Sequence, residues 1–158
     1  MPTVPCNSLL SSSIMNTPLA VRREARTLAL KTLFEVDCAG HNPSESFDRL
    51  MEDSSLSEQT TDFVRNLVLS VLDNRRAIDE LIQRYAPAWP LQQLSIIDRN
   101  ILRLAVHELL SETAPAKVAI NEAVELAKVF GSDSSPKFVN GVLGSVYADL
   151  ANQKQKTN

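Results

Sequence analysis

Apolar residues recur along most of this chain every three or four positions, the spacing that lays them on one face of an α-helix. Over 18–39, Ala25, Leu28, Ala29, Thr32 and Val36 keep that period, Thr17 and Pro18 suit a cap and a first helical position, and Gly40 stops the run. A shorter helix is expected after Pro43, burying Phe47, Leu50 and Met51. From Ser57 the chain runs without glycine or proline as far as "PAWP", and Phe63, Leu67, Val71, Ile78, Leu81 and Ile82 predict one long helix over 58–86. Pro87 and Pro90 cannot donate backbone hydrogen bonds and disfavour helix before them, so this is the expected boundary between subdomains. Beyond it, Ser95 with Asp98 three residues later opens a helix over 95–112. "APAKVAINEAVELAKVFG" gives another helix that ends at Gly131, and "SSPKFVNGVLGSVYADL" gives the last, with Ser135 as cap and Pro136 at its first position. No stretch alternates as a strand would.

Composition agrees with an all-α fold. Only 4 glycines and 5% aromatic residues stand in 158 positions, few for a protein built of strands and turns, while 44% hydrophobic content supplies an ordinary core. The expected organisation is an N-terminal extension over 1–15 that lacks charge and stays disordered, helical subdomains over 16–86 and 87–152, and a flexible tail over 153–158. No apolar run approaches the roughly 18 residues that cross a bilayer, so no membrane partner is expected and the chain reads as cytoplasmic. Cys6 and Cys38 have no metal-type spacing and read as free thiols.

Charge changes the picture more than composition does. Arg22, Arg23, Arg26 and Lys31 face only Glu24 in the first 31 residues, whereas 35–62 holds Glu35, Asp37, Glu45, Asp48, Glu52, Asp53, Glu58 and Asp62 against Arg49. Such polarity suits a protein that offers one face to an anionic ligand. Arg22, Arg23 and Arg26 fall within an arc of about 100° beside the apolar stripe, close to a helix N-terminus whose free N–H groups also welcome phosphate. The macrodipole disfavours cations there, so helix stability does not ask for them. At the start of the last helix, Phe138 borders the apolar stripe next to Lys137. An edge aromatic beside an ammonium can stack on a base while the cation meets phosphate, and it can equally close the end of a core. Gly141 and Gly144 in the same helix suggest close approach by a neighbour or ligand.

Catalytic chemistry finds no support. Neither His41 nor His107 stands in a nucleophile or metal spacing, no glycine-rich phosphate loop occurs, and no cofactor or metal is expected. His107 reads as a partly buried structural histidine, and Glu122 and Glu125 as an exposed helical face with Glu125 near Lys128.

"RREARTLALKTLFEVD", then "IIDRNILRLAVHELL", then "PAKVAINEAVELAKVFGSDSSPKFVNGVLG" together resemble the NusB family of transcription antitermination factors over 20–150. The resemblance implies about seven helices in two small subdomains packed as one compact unit. It further implies a non-catalytic factor that binds boxA-type single-stranded RNA together with NusE, a small-subunit ribosomal protein, within the antitermination complex of RNA polymerase on ribosomal RNA operons. Carried onto this chain, it assigns RNA to Arg22, Arg23, Arg26, Lys137, Phe138 and Asn140, and NusE to a surface around Tyr85, Trp89, Leu94, Arg99 and Arg103. Glu24 and Pro136 depart from the family pattern within these segments. Two other classes stay open at the level of sequence. One is a homodimeric scaffold without direct RNA binding; the other is an RNA-targeting domain related to ribosomal RNA cytosine methyltransferases.

Overall fold

The computed structural model describes residues 19–156, and these form two compact units that divide between Leu72 and Asp73. Seven α-helices and one 3₁₀ turn, with no strand, make up the described residues. The capping pair Thr17 and Pro18, the extension 1–15 and Cys6 lie outside them.

The first unit holds α1 (Leu19–Ala39), α2 (Pro43–Glu52) and α3 (Glu58–Asp73). Helix α1 buries Ala25, Leu28, Ala29, Leu30, Thr32 and Leu33, and the Thr32 hydroxyl is satisfied by donating to the Leu28 carbonyl at 2.8 Å. Gly40 ends the helix in the left-handed region, φ +67°, with its N–H donating to the Val36 carbonyl at 3.0 Å. Asn42 caps α2 by accepting the amides of Ser44 and Glu45, Pro43 occupies the first turn, and Phe47 is buried. Helix α2 packs on α1, and Arg49 donates to both Glu35 oxygens at 2.6 Å across that contact. The Arg49 guanidinium holds the Glu35 carboxyl below its usual range. Arg65 of α3 lies 4.8 Å from the Phe47 ring centre and donates to Asp48 at 3.1 Å, joining α3 to α2.

The second unit holds α4 (Arg75–Tyr85), the 3₁₀ turn Leu91–Gln93, α5 (Ile96–Ser111), α6 (Ala116–Phe130) and α7 (Ser135–Lys156). Helix α5 is its centre, buried at nearly every position from Asn100 to Leu109 because α4, α6 and α7 all pack on it. Ser95 caps α5 by accepting the Asp98 amide at 3.1 Å.

Three features differ from the sequence expectation. The helix expected over 58–86 is broken at Asn74, where an exposed "DNRR" run gives a poor helix former no apolar face to dock. The "PAWP" segment is not the division between units. The Gln83 side chain donates to the carbonyls of Ala86 and Trp89 at 3.1 and 3.0 Å and accepts the Leu91 amide at 2.9 Å, which folds the segment back onto α4 within the second unit. The tail expected to be flexible from 153 is helical as far as Lys156.

The close neighbour expected at Gly141 and Gly144 is not found among the described residues, since a Cβ on either would meet nothing within 4 Å. Each therefore lowers helix stability without a packing return. Gly141→Ala and Gly144→Ala are each expected to raise stability by about 0.5–1 kcal/mol. Urea unfolding measures this, and a lower midpoint in either variant would contradict the open surroundings.

Candidate nucleic-acid interface

The arginines that open α1 do not share one exposure. Arg23 is exposed, Arg22 is half-buried with its Nε shielded from water and without a hydrogen-bond partner, and Arg26 is buried at 7%. One turn beyond Arg22, Arg26 stands between Ala25 and the Leu28–Ala29–Leu30 stripe, so its stem is drawn in with them. As a correction to the single phosphate-facing arc expected from the helical wheel, the solvent-facing cations of α1 are Arg23 and Lys31. These stand about 12 Å apart along the axis. Lys31 lies outside the expected RNA-contacting set, although its place about two turns after Arg23 is readable from sequence.

The first turn of α7 is more open. Lys137 and Asn140 are exposed, Phe138 is half-buried at the margin, and Val139 between them is fully buried and fixes which way the turn faces. Ser135 is not the cap. The helix begins at Ser135 itself, and Ser134 supplies the carbonyl that accepts the Phe138 amide at 3.1 Å.

The residues expected to form a protein-binding surface differ in exposure. Trp89 is 58% exposed, and Tyr85, Leu94 and Arg99 are half-buried. The Asp149 carboxylate beside Tyr85 holds its phenol above the usual range. Arg99 reaches the Gln92 carbonyl at 3.4 Å. Arg103 is the correction here. It is 8% exposed, donates through Nε and another guanidinium nitrogen to Asp79 at 2.7 and 3.0 Å, and reaches the Asn100 side-chain oxygen at 3.3 Å. Its guanidinium ties α5 to α4 instead of facing a partner. Glu122, expected on an exposed face, is buried at 7%, whereas Glu125 and Lys128 pair at 3.0 Å as their spacing suggests.

His107 is half-buried on α5, and burial pushes its pKa below the ordinary value. The folded state thus holds the neutral ring, while the unfolded chain takes up a proton near pH 6.5. Its contribution is fully present above that value and is lost as pH falls towards the depressed folded pKa. His107→Gln is expected to flatten the dependence of the urea midpoint between pH 7 and 5.5. Identical slopes for the two proteins would remove this role.

A groove of about 630 Å³ lies within the second unit between the end of α5 and α7, with Leu109, Leu110, Pro115, Tyr147, Leu150 and Ala151 on its walls and a Lys154–Glu112 ion pair among its lining residues. No group of three or more metal-binding side chains occurs among the described residues, and none of their helices is long and apolar enough to cross a membrane.

Comparison with known proteins places these surfaces in context. The NusB family model matches residues 23–148. The chain is 48% identical over 139 residues to the transcription antitermination protein NusB of Dehalococcoides mccartyi strain CBDB1, covering 85% of this chain and 97% of that one. It is 42% identical over 134 residues to the protein of the same name from Bacillus pumilus, covering 84% and 98%. Among solved structures, NusB of T. maritima superposes with a TM-score of 0.76 at 36% identity, covering 84% of this chain and 92% of that one. A chain from the crystal structure of antitermination factors NusB and NusE in complex with dsRNA superposes with a TM-score of 0.76 at 28% identity, covering 84% and 99%.

Proposed function

The chain belongs to the NusB family, and from that premise we propose that it is a transcription antitermination factor that binds boxA-type RNA together with NusE. The observation that carries the reading is the match over 23–148, which includes the exposed cations Arg23 and Lys31 of α1 and Lys137 of α7. Arg23 and Lys31 on α1 supply phosphate contacts. Lys137 supplies another on α7, where Phe138 offers a ring edge for an unstacked base and Asn140 a polar group for a base edge.

Arg22 and Arg26 act mainly by shaping this end of α1, since both are partly or wholly withdrawn from water. Exposed Trp89, with Tyr85, Leu94 and Arg99, offers NusE a mixed aromatic and cationic surface. Assembly with RNA polymerase on ribosomal RNA operons, in the cytoplasm, follows from the same reading, and catalysis has no part in it. The test is titration of a boxA RNA oligonucleotide into the full chain with and without NusE. Saturable binding that NusE tightens is expected, and absence of binding in both conditions would remove the proposal. Light scattering on the same samples distinguishes a homodimer that ignores the RNA.

A further inference from the structure

The link between α6 and α7 is short and tightly determined. Gly131 ends α6 by donating its N–H to the Ala127 carbonyl at 2.9 Å. Its backbone is extended, φ −91° and ψ −171°, a conformation open to any residue. Glycine is required there for space. A Cβ at 131 would lie 2.5 Å from both Cβ and Oγ of Ser135 and 2.8 Å from the Ala127 carbonyl oxygen. Ser135 fills that space at 1% exposure, and its Oγ accepts the Ser132 amide at 2.9 Å while the Ser135 amide donates back to the Ser132 carbonyl at 3.0 Å. The Ser132 and Ser135 hydroxyls lie 3.1 Å apart and share a further bond. Pro136 sits in the first helical turn, where a missing N–H removes no helical bond.

Two and three residues beyond this lock stand Lys137 and Phe138, and the bond from the Phe138 amide to the Ser134 carbonyl passes the geometry of the link directly to them. A helix start held by reciprocal hydrogen bonds and by a contact that admits no Cβ cannot rotate or shift without breaking both. We propose that Gly131 and Ser135 are positioning residues for RNA, fixing the start of α7 so that Lys137 and Phe138 present their cation and ring edge to one nucleotide segment. This rests on the RNA-binding reading of Lys137 and Phe138. Gly131→Ala would push Ser135 away and turn the first helical turn; Ser135→Ala would release the Ser132 amide without adding bulk.

The experiment is a double-mutant cycle on the full chain, with a boxA RNA oligonucleotide titrated across a range of salt concentrations. Gly131→Ala and Ser135→Ala are each expected to weaken binding about fivefold, the low end of what loss of one base-stacking contact gives. Each should also flatten the slope of log affinity against log salt by about 0.7, as Lys137→Ala does, because one phosphate contact is lost. In the Lys137→Ala/Phe138→Ala background both changes should have less than about twofold effect. A role confined to stability would lower the unfolding midpoint and leave the salt slope of the folded protein untouched, and that result overturns the proposal. Equal losses in both backgrounds also overturn it. If Lys137→Ala/Phe138→Ala leaves binding intact, the RNA reading of this turn has failed and the positioning role falls with it. That outcome is distinct from unchanged binding by the turn variants alone.

Discussion

Asp79→Ala is expected to destabilise the second unit by about 2–4 kcal/mol, a little below the 3–5 kcal/mol typical of breaking a fully buried ion pair. The discount reflects Asp79, whose side chain is 23% exposed while that of Arg103 is 9% exposed. The two are joined in a bidentate arrangement at 2.7 and 3.0 Å across α4 and α5. Removing the carboxylate takes a charged partner from the deeper guanidinium, which stays inside and keeps its bond to the Asn100 side-chain oxygen. Arg103→Met removes the deeper charge and leaves Asp79 near enough to water to rehydrate, so it should be the milder change of the two. Asp79→Leu/Arg103→Met should lie closer to wild type than Asp79→Ala does, because apolar groups then replace both ends of the pair. Urea unfolding at constant m reads all three. An Asp79→Ala midpoint equal to wild type would show that the pair contributes nothing to holding α4 against α5.

Which helices form was largely legible in the sequence, because caps and stops are local chemistry. Ser95 before Asp98 and Gly40 after Val36 each act on neighbours within four residues. What escaped was how much of each helix is covered, which is tertiary information. A wheel drawn on α5 puts Arg103 beside its apolar stripe, but α4, α6 and α7 surround the helix and take in the polar edge as well. Glu122 is withdrawn in the same way on α6, and Arg26 on α1. The break at Asn74 escaped for a different reason. Neither glycine nor proline marks it, and a run of four exposed polar residues weakens a helix without forbidding it. The role of Gln83 in folding the proline-rich segment back could not be read from spacing, since its three partners lie in backbone that has no pattern of its own.

In the candidate interface this distinction separates residues that resemble one another in sequence, and it sets the largest expected effect on RNA. Arg23→Ala/Lys31→Ala is expected to weaken boxA RNA binding about 30-fold, taking roughly 1 kcal/mol for each screened, charge-assisted phosphate contact. It should also flatten the slope of log affinity against log salt by about 1.4, since each phosphate neutralised on a single strand contributes about 0.7. Both side chains are solvent-exposed, so the unfolding midpoint should stay within about 0.5 kcal/mol of wild type. Arg26→Ala should behave in the opposite way. Its 7% exposure makes the stem part of the packing of α1, so the change is expected to lower stability by about 1–3 kcal/mol and leave the salt slope of the folded protein as it was. Measuring both variants below their unfolding transitions, with and without NusE, separates a phosphate contact from a residue that supports the helix carrying it. An unchanged affinity and salt slope in Arg23→Ala/Lys31→Ala would remove α1 from the interface. A lost slope in Arg26→Ala at full stability would return the buried arginine to the phosphate-contacting set.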